Sequence, residues 1–190
     1  MTQAQIAEII RAVQQGDTAQ FATIYDTYAK DIYRFVYIKT SHKEIAEDLL
    51  SDIFIKVIDQ IHRFNPEAAS FRTWLYRIAR NTVIDYYRTH KTTVDIDGDD
   101  TQPVPSSDNL EEATHARLLL EDVQKQMKLL TQDQQDVLLL RVWHGMSYDE
   151  IAAITKKTPT ACRMMYSRGV SVLKEHIILL LCLSFIDLPL

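Results

Sequence analysis

One segment divides this chain and constrains its fold more than any other feature. Residues 92–116 carry seven acidic residues and no Lys or Arg, and they include Gly98, Pro103 and Pro105 among Ser, Asp and Asn. Apolar periodicity is weak there, so the composition is typical of a flexible acidic linker. The parts on either side, residues 1–91 and 117–176, are therefore predicted to form two small domains.

The amino-acid composition favours helices on both sides of that linker. The 190 residues include only four Gly and five Pro, and long stretches are rich in Ala, Leu, Ile, Glu, Gln and Arg. A turn-dense all-strand fold would have a different composition. With 46% hydrophobic residues, the chain can bury a core. We predict an all-α protein.

The chain lacks the sequence motifs of metal sites and of common enzymes. Cys162 and Cys182 have no Cys or His at ligand spacing, and the six His residues are scattered. There is no HExxH pattern, glycine-rich phosphate loop or GxSxG pattern. We therefore expect no cofactor, no metal, no small-molecule substrate and no enzymatic activity.

The two ends of the chain bear on its location. The N-terminus, MTQAQIAEIIRAVQQGD, has no charged leader followed by an apolar run, so a cytoplasmic location is expected. The C-terminal tail, residues 177–190, begins with ten mostly apolar positions, whereas spanning a bilayer takes about 20 residues. The tail is interpreted as the end of a helix buried against its own domain or a partner, with membrane contact as the alternative.

The first domain is predicted to contain a helix with a polar outer side. Ser41 and Glu44 form a capping-box pattern at the start of SHKEIAEDLLSDIFIKVIDQIHRF. Its apolar positions recur at helical spacing and are assigned to the core: Ile45, Leu49, Phe54, Val57 and Ile61. The polar positions are left available to solvent or a partner: Glu47, Asp48, Ser51, Asp52 and Lys56.

The following helix gathers positive charge. It is predicted to start at the cap Ser70, after a break at Asn65-Pro66, and residues 70–91 hold five Lys or Arg and one acidic residue. At about 100° per residue, the basic residues share one side, with two rings beside them: Arg77, Arg80, Arg88 and Lys91, with Tyr76 and Tyr87. The apolar residues are assigned to the far side: Phe71, Trp74, Leu75 and Ile78. A basic side with rings suits a partner that offers phosphates and exposed bases; a solvated amphipathic helix is the alternative.

The second domain carries the start and stop signals of a helix-turn-helix. Thr131 is placed to cap a helix that stops at His144-Gly145. Ser147 and Glu150 form a capping box for the short helix SYDEIAAI. After the turn TKKT, Thr158 followed by Pro159 starts a longer helix. A short helix, a tight turn and a longer helix match the motif whose second helix enters the major groove of DNA.

The second helix of this motif is predicted to read DNA. Residues 156–174 contain five basic residues and no acidic one, which points to a polyanion. Four residues are candidates to reach bases: Thr160, Arg163, Ser167 and Tyr166. Three lie nearer to phosphate: Lys156, Lys157 and Arg168. A purely structural helical hairpin is the alternative at this point.

Together these segments resemble a bacterial RNA polymerase sigma factor of the extracytoplasmic-function (ECF) class, in its minimal two-domain form. The resemblance rests on AEDLLSDIFIKVIDQIHRF, on SFRTWLYRIARNTVIDYYR, and on LTQDQQDVLLLRVWHGMSYDEIAAITKKTP running into RMMYSRGVSVL, over about residues 18–91 and 118–175. It implies a subunit that binds core RNA polymerase, through the β and β′ subunits, and directs it to promoter DNA. An anti-sigma factor is a further partner that the resemblance implies, which would hold the protein at the membrane.

The resemblance also implies a role for each candidate residue. The docking helix, expected on the clamp helices of the largest polymerase subunit, would use Asp48, Ser51, Asp52 and Lys56. The −10 element would be opened and read by Phe64, Asn65, Arg77, Arg80, Asn81 and Arg88. The −35 element would be read as duplex by Lys156, Lys157, Thr160, Arg163, Ser167 and Arg168.

Two features depart from the family pattern. Met164, Met165, Gly169 and Val170 occupy positions where members usually have more Arg or Lys, and Gly169 is expected to weaken the helix by about 1 kcal/mol relative to Ala. The apolar tail is not an ordinary family feature. The alternative function is a helix-turn-helix regulator that binds DNA without docking on polymerase, but such a regulator has no need of FRTWLYRIARN beside a polar docking helix.

Overall fold

The computed structural model of the chain describes residues 1–90 and 123–174. All regular structure in these two ranges is helical, and neither contains a strand. The chain divides into two compact units, Met1–Asp100 and Thr101–Leu190, so the prediction of an all-α fold with two domains is confirmed. Lys91, the linker residues 92–116 and the tail residues 177–190 lie outside the described residues.

The N-terminal domain is built from four α-helices. They are α1 (Gln3–Gln14), α2 (Phe21–Thr40), α3 (Lys43–Gln60) and α4 (Phe71–His90). Short 3-10 turns, Thr18–Gln20 and Ile61–Arg63, precede α2 and follow α3. The core side chains come from all four helices because each has an apolar stripe at helical spacing.

α4 packs against two helices of this domain, α2 and α3. Its buried residues therefore cover most of its circumference: Phe71, Thr73, Trp74, Leu75, Tyr76, Ile78, Ala79, Arg80, Thr82 and Val83. Removal of apolar surface from water on two sides fixes this helix in the domain. Few of its positions are left to face solvent.

The prediction that Tyr76 and Arg80 lie on or beside an exposed basic side of α4 is wrong. Tyr76 is fully buried and meets Phe35 of α2 edge-on, with 5.5 Å between ring centroids. Burial is the main cause that raises the pKa of Tyr76 well above its usual value, and the charge of Asp31 adds to it. Arg80 is only 9% exposed. The helical projection assumed one buried side, whereas α4 packs against two helices and is buried on two sides.

The capping box predicted at Ser41 and Glu44 is also wrong. Ser41 adopts a left-handed conformation, with φ 58° and ψ 15°, and its N–H donates to the Tyr37 carbonyl at 2.8 Å. It therefore ends α2. His42 takes the N-cap position of α3 and makes no side-chain capping hydrogen bond. The residue that terminates one helix in a left-handed turn cannot also cap the next.

The C-terminal domain contains three α-helices after a helical segment at residues 123–127. They are α5 (Gln132–Leu138), which continues as the π-helical turn Leu139–Trp143, then α6 (Tyr148–Thr155) and α7 (Pro159–Lys174). Their buried apolar residues, among them Leu140, Met146, Ile151 and Ile154, form the core. α6 and α7 with the turn between them have the predicted helix-turn-helix order.

The predicted caps of this domain are confirmed. Thr131 accepts from the Gln134 N–H at 3.3 Å, and the Gln134 side chain bonds back to the Thr131 N–H, a capping box. Ser147 and Glu150 form the predicted capping box of α6. The Thr158 hydroxyl accepts from the Ala161 N–H at 3.1 Å and caps α7. Each of these caps is local in sequence, and each satisfies N–H groups that the helix itself leaves unpaired.

Gly169 lies where α7 comes close to α5. A Cβ built at this position would lie 2.9 Å from Leu138 Cδ1, so the end of the buried Leu138 side chain would have to shift to admit it. The missing side chain lets α7 approach α5, which is why a residue of low helix propensity stands in mid-helix.

Candidate nucleic-acid and partner interfaces

Three surfaces of the described residues carry most of the candidate side chains, and the first lies on α3. Asp48, Ser51 and Asp52 are exposed and follow one another at helical spacing. The same side of the helix continues with two exposed isoleucines, Ile55 (56% exposed) and Ile58 (51% exposed). We call these five residues the α3 surface.

Lys56 does not belong to the α3 surface. Its ammonium group donates to the Thr82 hydroxyl of α4 at 3.0 Å and is partly buried there. The structure therefore separates Lys56 from Asp48, Ser51 and Asp52, with which the sequence had grouped it. Its hydrogen bond helps to join α3 to α4.

The two isoleucines of the α3 surface were not among the predicted docking residues. A helical projection of α3 places Ile55 within about 20° of Asp48 and Ile58 within about 20° of Ser51, so the signal was present. Exposed apolar side chains beside carboxylates on a rigid helix suit a protein partner that offers an apolar patch and positive charge.

The second surface combines the loop after α3 with the exposed side of α4. Phe64 is 6% exposed and belongs to an aromatic cluster, with ring centroids 5.5 Å from Phe71 and 5.1 Å from Trp74. The ring of Phe64 is therefore packed in the domain interior, where it holds the loop, and it is not exposed to stack on a base. Asn65 follows it and is exposed.

The loop is held by its own hydrogen bonds. The Asn65 Oδ1 accepts from the Glu67 N–H at 2.9 Å, and the Asn65 carbonyl accepts from the Ala68 N–H at 3.2 Å. At its end the Ser70 hydroxyl accepts from the Thr73 N–H at 3.2 Å, which confirms Ser70 as the cap of α4. Such turn and cap bonds stabilise one loop conformation.

On α4 the structure leaves a narrow row of exposed polar residues. Arg77, Asn81 and Arg88 are exposed, and at 100° per residue they fall within about 40° of one another. Arg88 forms a surface ion pair with Asp85, at 3.1 Å. Together with Asn65, these three residues form what we call the loop–α4 surface.

The tyrosines near the end of α4 are structural. The Tyr87 hydroxyl donates to the Lys39 carbonyl of α2 at 2.6 Å, and burial, reinforced by the neighbouring Tyr86, raises the pKa of Tyr87 to about 12. The Tyr86 ring stacks on His90, with 4.2 Å between centroids. Tyr87, which the sequence analysis placed beside the basic residues, thus ties α4 to α2.

The third surface is the exposed side of α7. Thr160, Met164 and Ser167 are exposed and recur at helical spacing, with Arg163 and Arg168 beside them. Met164 is 49% exposed and was missed as a contact residue, although its position between Thr160 and Ser167 gives the signal. We call these five residues the α7 surface.

Arg163 is oriented by an aromatic ring of the preceding helix. Its guanidinium carbon lies 5.2 Å from the centroid of Tyr148, the first residue of α6. Arg141 approaches the same ring at 4.9 Å and also donates to the Met146 carbonyl at 2.7 Å. Contacts of this kind restrict a long flexible side chain and preorganise its charged end.

The two lysines of the turn differ in their surroundings. Lys156 is exposed and adopts the left-handed conformation that ends α6, with φ 56° and ψ 39°. Lys157 forms an ion pair with Asp133 of α5 at 2.8 Å. A phosphate contact by Lys157 therefore competes with a carboxylate already in place, whereas Lys156 projects from the turn itself.

The part of the chain that the structure describes was also compared with the requirements of a metal site and of a membrane-spanning helix. Residues 1–90 and 123–174 contain no group of three or more His, Cys, Asp or Glu arranged to hold a metal ion. No helix in those ranges combines the length and the apolar character needed to cross a membrane.

Comparison with known families identifies both domains. Residues 24–93 match Sigma-70 region 2 and residues 120–173 match Sigma-70, region 4. The chain belongs to the sigma-70 family of RNA polymerase sigma factors. The matches cover α2 to α4 and α5 to α7, and α1 precedes the first of them.

Known proteins of the family place the chain in the ECF class. It is 31% identical to the ECF RNA polymerase sigma factor SigX of Bacillus subtilis (strain 168) over 168 residues, which cover 84% of each chain. It is 28% identical to the ECF RNA polymerase sigma factor BldN of Streptomyces coelicolor over 176 residues, 90% of this chain but only 65% of BldN. The family resemblance inferred from the sequence is confirmed.

Solved structures support the fold. CnrH, solved in complex with the cytosolic domain of CnrY, matches with a TM-score of 0.70 at 20% identity, over 89% of this chain and 94% of CnrH. The sigma factor RpoE of Bartonella quintana, solved with the anti-sigma factor NepR, matches with a TM-score of 0.64 at 22% identity, over 88% of this chain and 98% of RpoE.

The function is therefore that of an RNA polymerase sigma factor, and its two matched domains imply binding to core RNA polymerase and to promoter DNA. The alternative of a helix-turn-helix regulator that acts without polymerase is not favoured.

Proposed function

We propose that the two domains divide promoter recognition between them. Residues 1–91 dock on core polymerase and open and read the −10 element, residues 117–176 read the −35 element, and residues 92–116 tether the two. The three surfaces support this division. The α3 surface is acidic and apolar, whereas the loop–α4 and α7 surfaces carry arginines.

Docking on the largest polymerase subunit is assigned to the α3 surface. Asp48 and Asp52 supply negative charge, and Ile55 and Ile58 supply apolar area that water would otherwise cover. We place the isoleucines among the docking residues and remove Lys56, because its ammonium group is bonded to Thr82.

Opening and reading of the −10 element is assigned to the loop–α4 surface. A melted strand needs an unstacked base to be held by a preformed loop and its phosphates to be held by cations. Asn65 stands at the exposed loop, and Arg77 and Arg88 supply the charge. Phe64 and Arg80 act from the interior, where they stabilise the surface that the other residues form.

The −35 element is assigned to the α7 surface. Arg163, held over the Tyr148 ring, is placed for a bidentate contact to guanine, and Thr160 and Ser167 can hydrogen-bond to either purines or pyrimidines. Met164 is placed to contact thymine methyl groups. Lys156 and Arg168 are assigned to phosphates.

One observation carries the proposal: two arginine-bearing helical surfaces stand in separate domains of a chain that also exposes an acidic and apolar docking helix. Because each DNA surface carries few charges, the free protein should bind promoter duplex weakly, and polymerase should supply the remaining affinity.

The test is reconstitution of initiation. Purified chain is mixed with core polymerase and a genomic promoter library, and run-off transcripts are sequenced. We expect initiation at a set of promoters that share −10 and −35 sequences. The double variant Asp48→Lys with Asp52→Lys should lose core binding while the helix-turn-helix stays folded. Absence of initiation and of core binding by the natural chain would contradict the proposal.

We also propose a cytoplasmic protein with no catalytic activity of its own, controlled by an anti-sigma factor. Sigma factors are not enzymes, and relatives of this fold are known in complexes: CnrH with the cytosolic domain of CnrY, and RpoE with NepR. Co-purification of the tagged chain from its host, followed by identification of the bound proteins, tests both the location and the partner.

A further inference from the structure

A contact from outside the matched family regions reaches the loop after α3. α1 ends at Gln14, before residue 24, where the match to Sigma-70 region 2 begins. The Gln14 side chain is partly buried, and its Nε2 donates to two backbone carbonyls, those of Ile61 at 2.8 Å and Phe64 at 2.9 Å. A glutamine amide has two N–H donors, and both of these bonds are to the main chain of the loop entry.

These two carbonyls define where the chain leaves α3. The Ile61 carbonyl also accepts from the Phe64 N–H at 3.0 Å, which closes the 3-10 turn Ile61–Arg63. Phe64 then leaves the turn in an extended conformation, with φ −70° and ψ 130°. Gln14 therefore bonds to both ends of this turn and fixes the direction in which the loop starts.

α1, which carries Gln14, is itself held in place by packing and by a cap. Ile6 and Ile10 are buried in the domain core, and Thr2 caps the helix with Gln5 in a capping box. From the other side, the loop is held by the Phe64 ring against Trp74. The entry to the loop is thus held between α1 and the aromatic cluster, so that Asn65 emerges from a fixed backbone.

We propose that Gln14 is a positioning residue for the −10 contact. It holds the backbone of residues 61–64 in the conformation that presents Asn65 and the residues after it to the promoter. The inference rests on the proposed function, which assigns −10 recognition to this loop, and it extends the recognition apparatus to α1. Because Gln14 bonds to the main chain, it acts on the loop whatever side chains the loop carries.

The experiment uses the full chain with core polymerase. The variants are Gln14→Ala, which removes both donors, and Gln14→Glu, which keeps the length but offers a carboxylate that cannot donate to a carbonyl. Gln15→Ala is the matched control, since Gln15 is the exposed neighbour. The promoter is the strongest one that the natural chain selects from a randomised library. Initiation and the permanganate reactivity of unpaired thymines are measured on it and on its single-base −10 and −35 substitutions.

The quantity compared is the ratio of initiation on the cognate promoter to initiation on each of its single-base substitutions. One intramolecular hydrogen bond shifts an equilibrium by roughly twofold to tenfold, so loss of two should lower the preference for the cognate −10 bases by about fivefold or more. The preference at −35, the affinity for core polymerase and the behaviour of Gln15→Ala should not change. A merely structural role of Gln14 would instead lower initiation on all promoters by the same factor.

Two outcomes overturn the inference: an unchanged −10 preference in both Gln14 variants, or an equal loss of preference at −10 and −35. Failure of the proposed function is distinguishable from these, because the natural chain itself would then fail to initiate, or would initiate with no −10 preference.

Discussion

α4 and α7 both present basic residues, but their positions in the two domains differ. α4 packs against both α2 and α3 and buries ten of its residues, so its exposed residues are few and include Arg77, Asn81 and Arg88. α7 buries only Cys162, Gly169 and Leu173 and leaves a broad side open. A helix buried on two sides presents few side chains to a partner and depends on the loop before it. A helix buried along one narrow side can contact DNA along its length.

The sharpest test of this difference compares two arginines of α4. Arg80→Ala should lower the free energy of unfolding of the N-terminal domain by about 2–4 kcal/mol, because it leaves a cavity and buried groups that the guanidinium contacted. Arg77→Ala should change stability by less than about 0.5 kcal/mol and weaken promoter opening instead.

Urea denaturation can follow each domain separately, because the chain has two tryptophans, Trp74 in one domain and Trp143 in the other. A Trp143→Phe background reports the N-terminal domain alone. Equal stability of the Arg80→Ala and Arg77→Ala chains would show that α4 is not buried on two sides as described above.

The close approach of α7 to α5 gives a second prediction. Gly169→Ala should destabilise the C-terminal domain by about 1–3 kcal/mol through overpacking against Leu138, although Ala favours helix by about 1 kcal/mol. Ser171→Ala, at an exposed position of the same helix, should be close to neutral. Trp143 fluorescence during denaturation measures both, and a stabilised Gly169→Ala chain would refute the packing explanation.

Base contacts from the α7 surface and phosphate contacts from the turn before α7 should separate. Arg163→Ala should remove about 1–3 kcal/mol of discrimination at one −35 position, whereas Lys156→Ala should weaken binding evenly across sequences. Tyr148→Leu should reproduce part of the Arg163 effect, since it removes the ring that orients the guanidinium. Initiation on a set of −35 variants is the measurement, and identical profiles for Arg163→Ala and Lys156→Ala would contradict the assignment.

The smallest effect is expected at the exposed ion pair of α4. Asp85→Asn should change the stability of the N-terminal domain by less than about 0.5 kcal/mol, because both partners face solvent. Promoter affinity should rise slightly, because the Arg88 guanidinium is no longer paired with the Asp85 carboxylate and its charge is available to a phosphate. A loss of more than 1 kcal/mol, on the order of a buried interaction, would show that this end of α4 is more enclosed than its exposure indicates.

What the sequence predicted well is what depends on neighbouring residues. The caps Ser70, Thr131, Ser147 and Thr158 are all found where they were expected. Each of these four caps acts within three residues of its own position. The two-domain helical fold followed from composition and periodicity for a similar reason. The capping box expected at Ser41 and Glu44 is equally local, and it was wrong because Ser41 instead ends α2 in a left-handed conformation.

What the sequence could not predict depends on how helices pack. Arg80 and Phe64 were expected to face DNA, and both are buried, because α4 has neighbours on two sides and the loop folds its ring inward. Lys56 was grouped with the docking residues, but Thr82 of another helix binds it. The two hydrogen bonds of Gln14 join positions about fifty residues apart. Local sequence patterns, such as caps and helical periodicity, do not predict a contact at that separation.

The ion pair between Lys157 and Asp133 alters how the second domain should respond to ionic strength. A lysine whose charge is already balanced by a carboxylate neutralises less phosphate charge, so it displaces fewer cations from DNA than an unpaired lysine does. The slope of binding against salt concentration should therefore be shallower than the number of lysines and arginines near the turn implies. Asp133→Asn should increase the slope of log affinity against log salt concentration by roughly one. A titration with potassium chloride measures this slope for both chains.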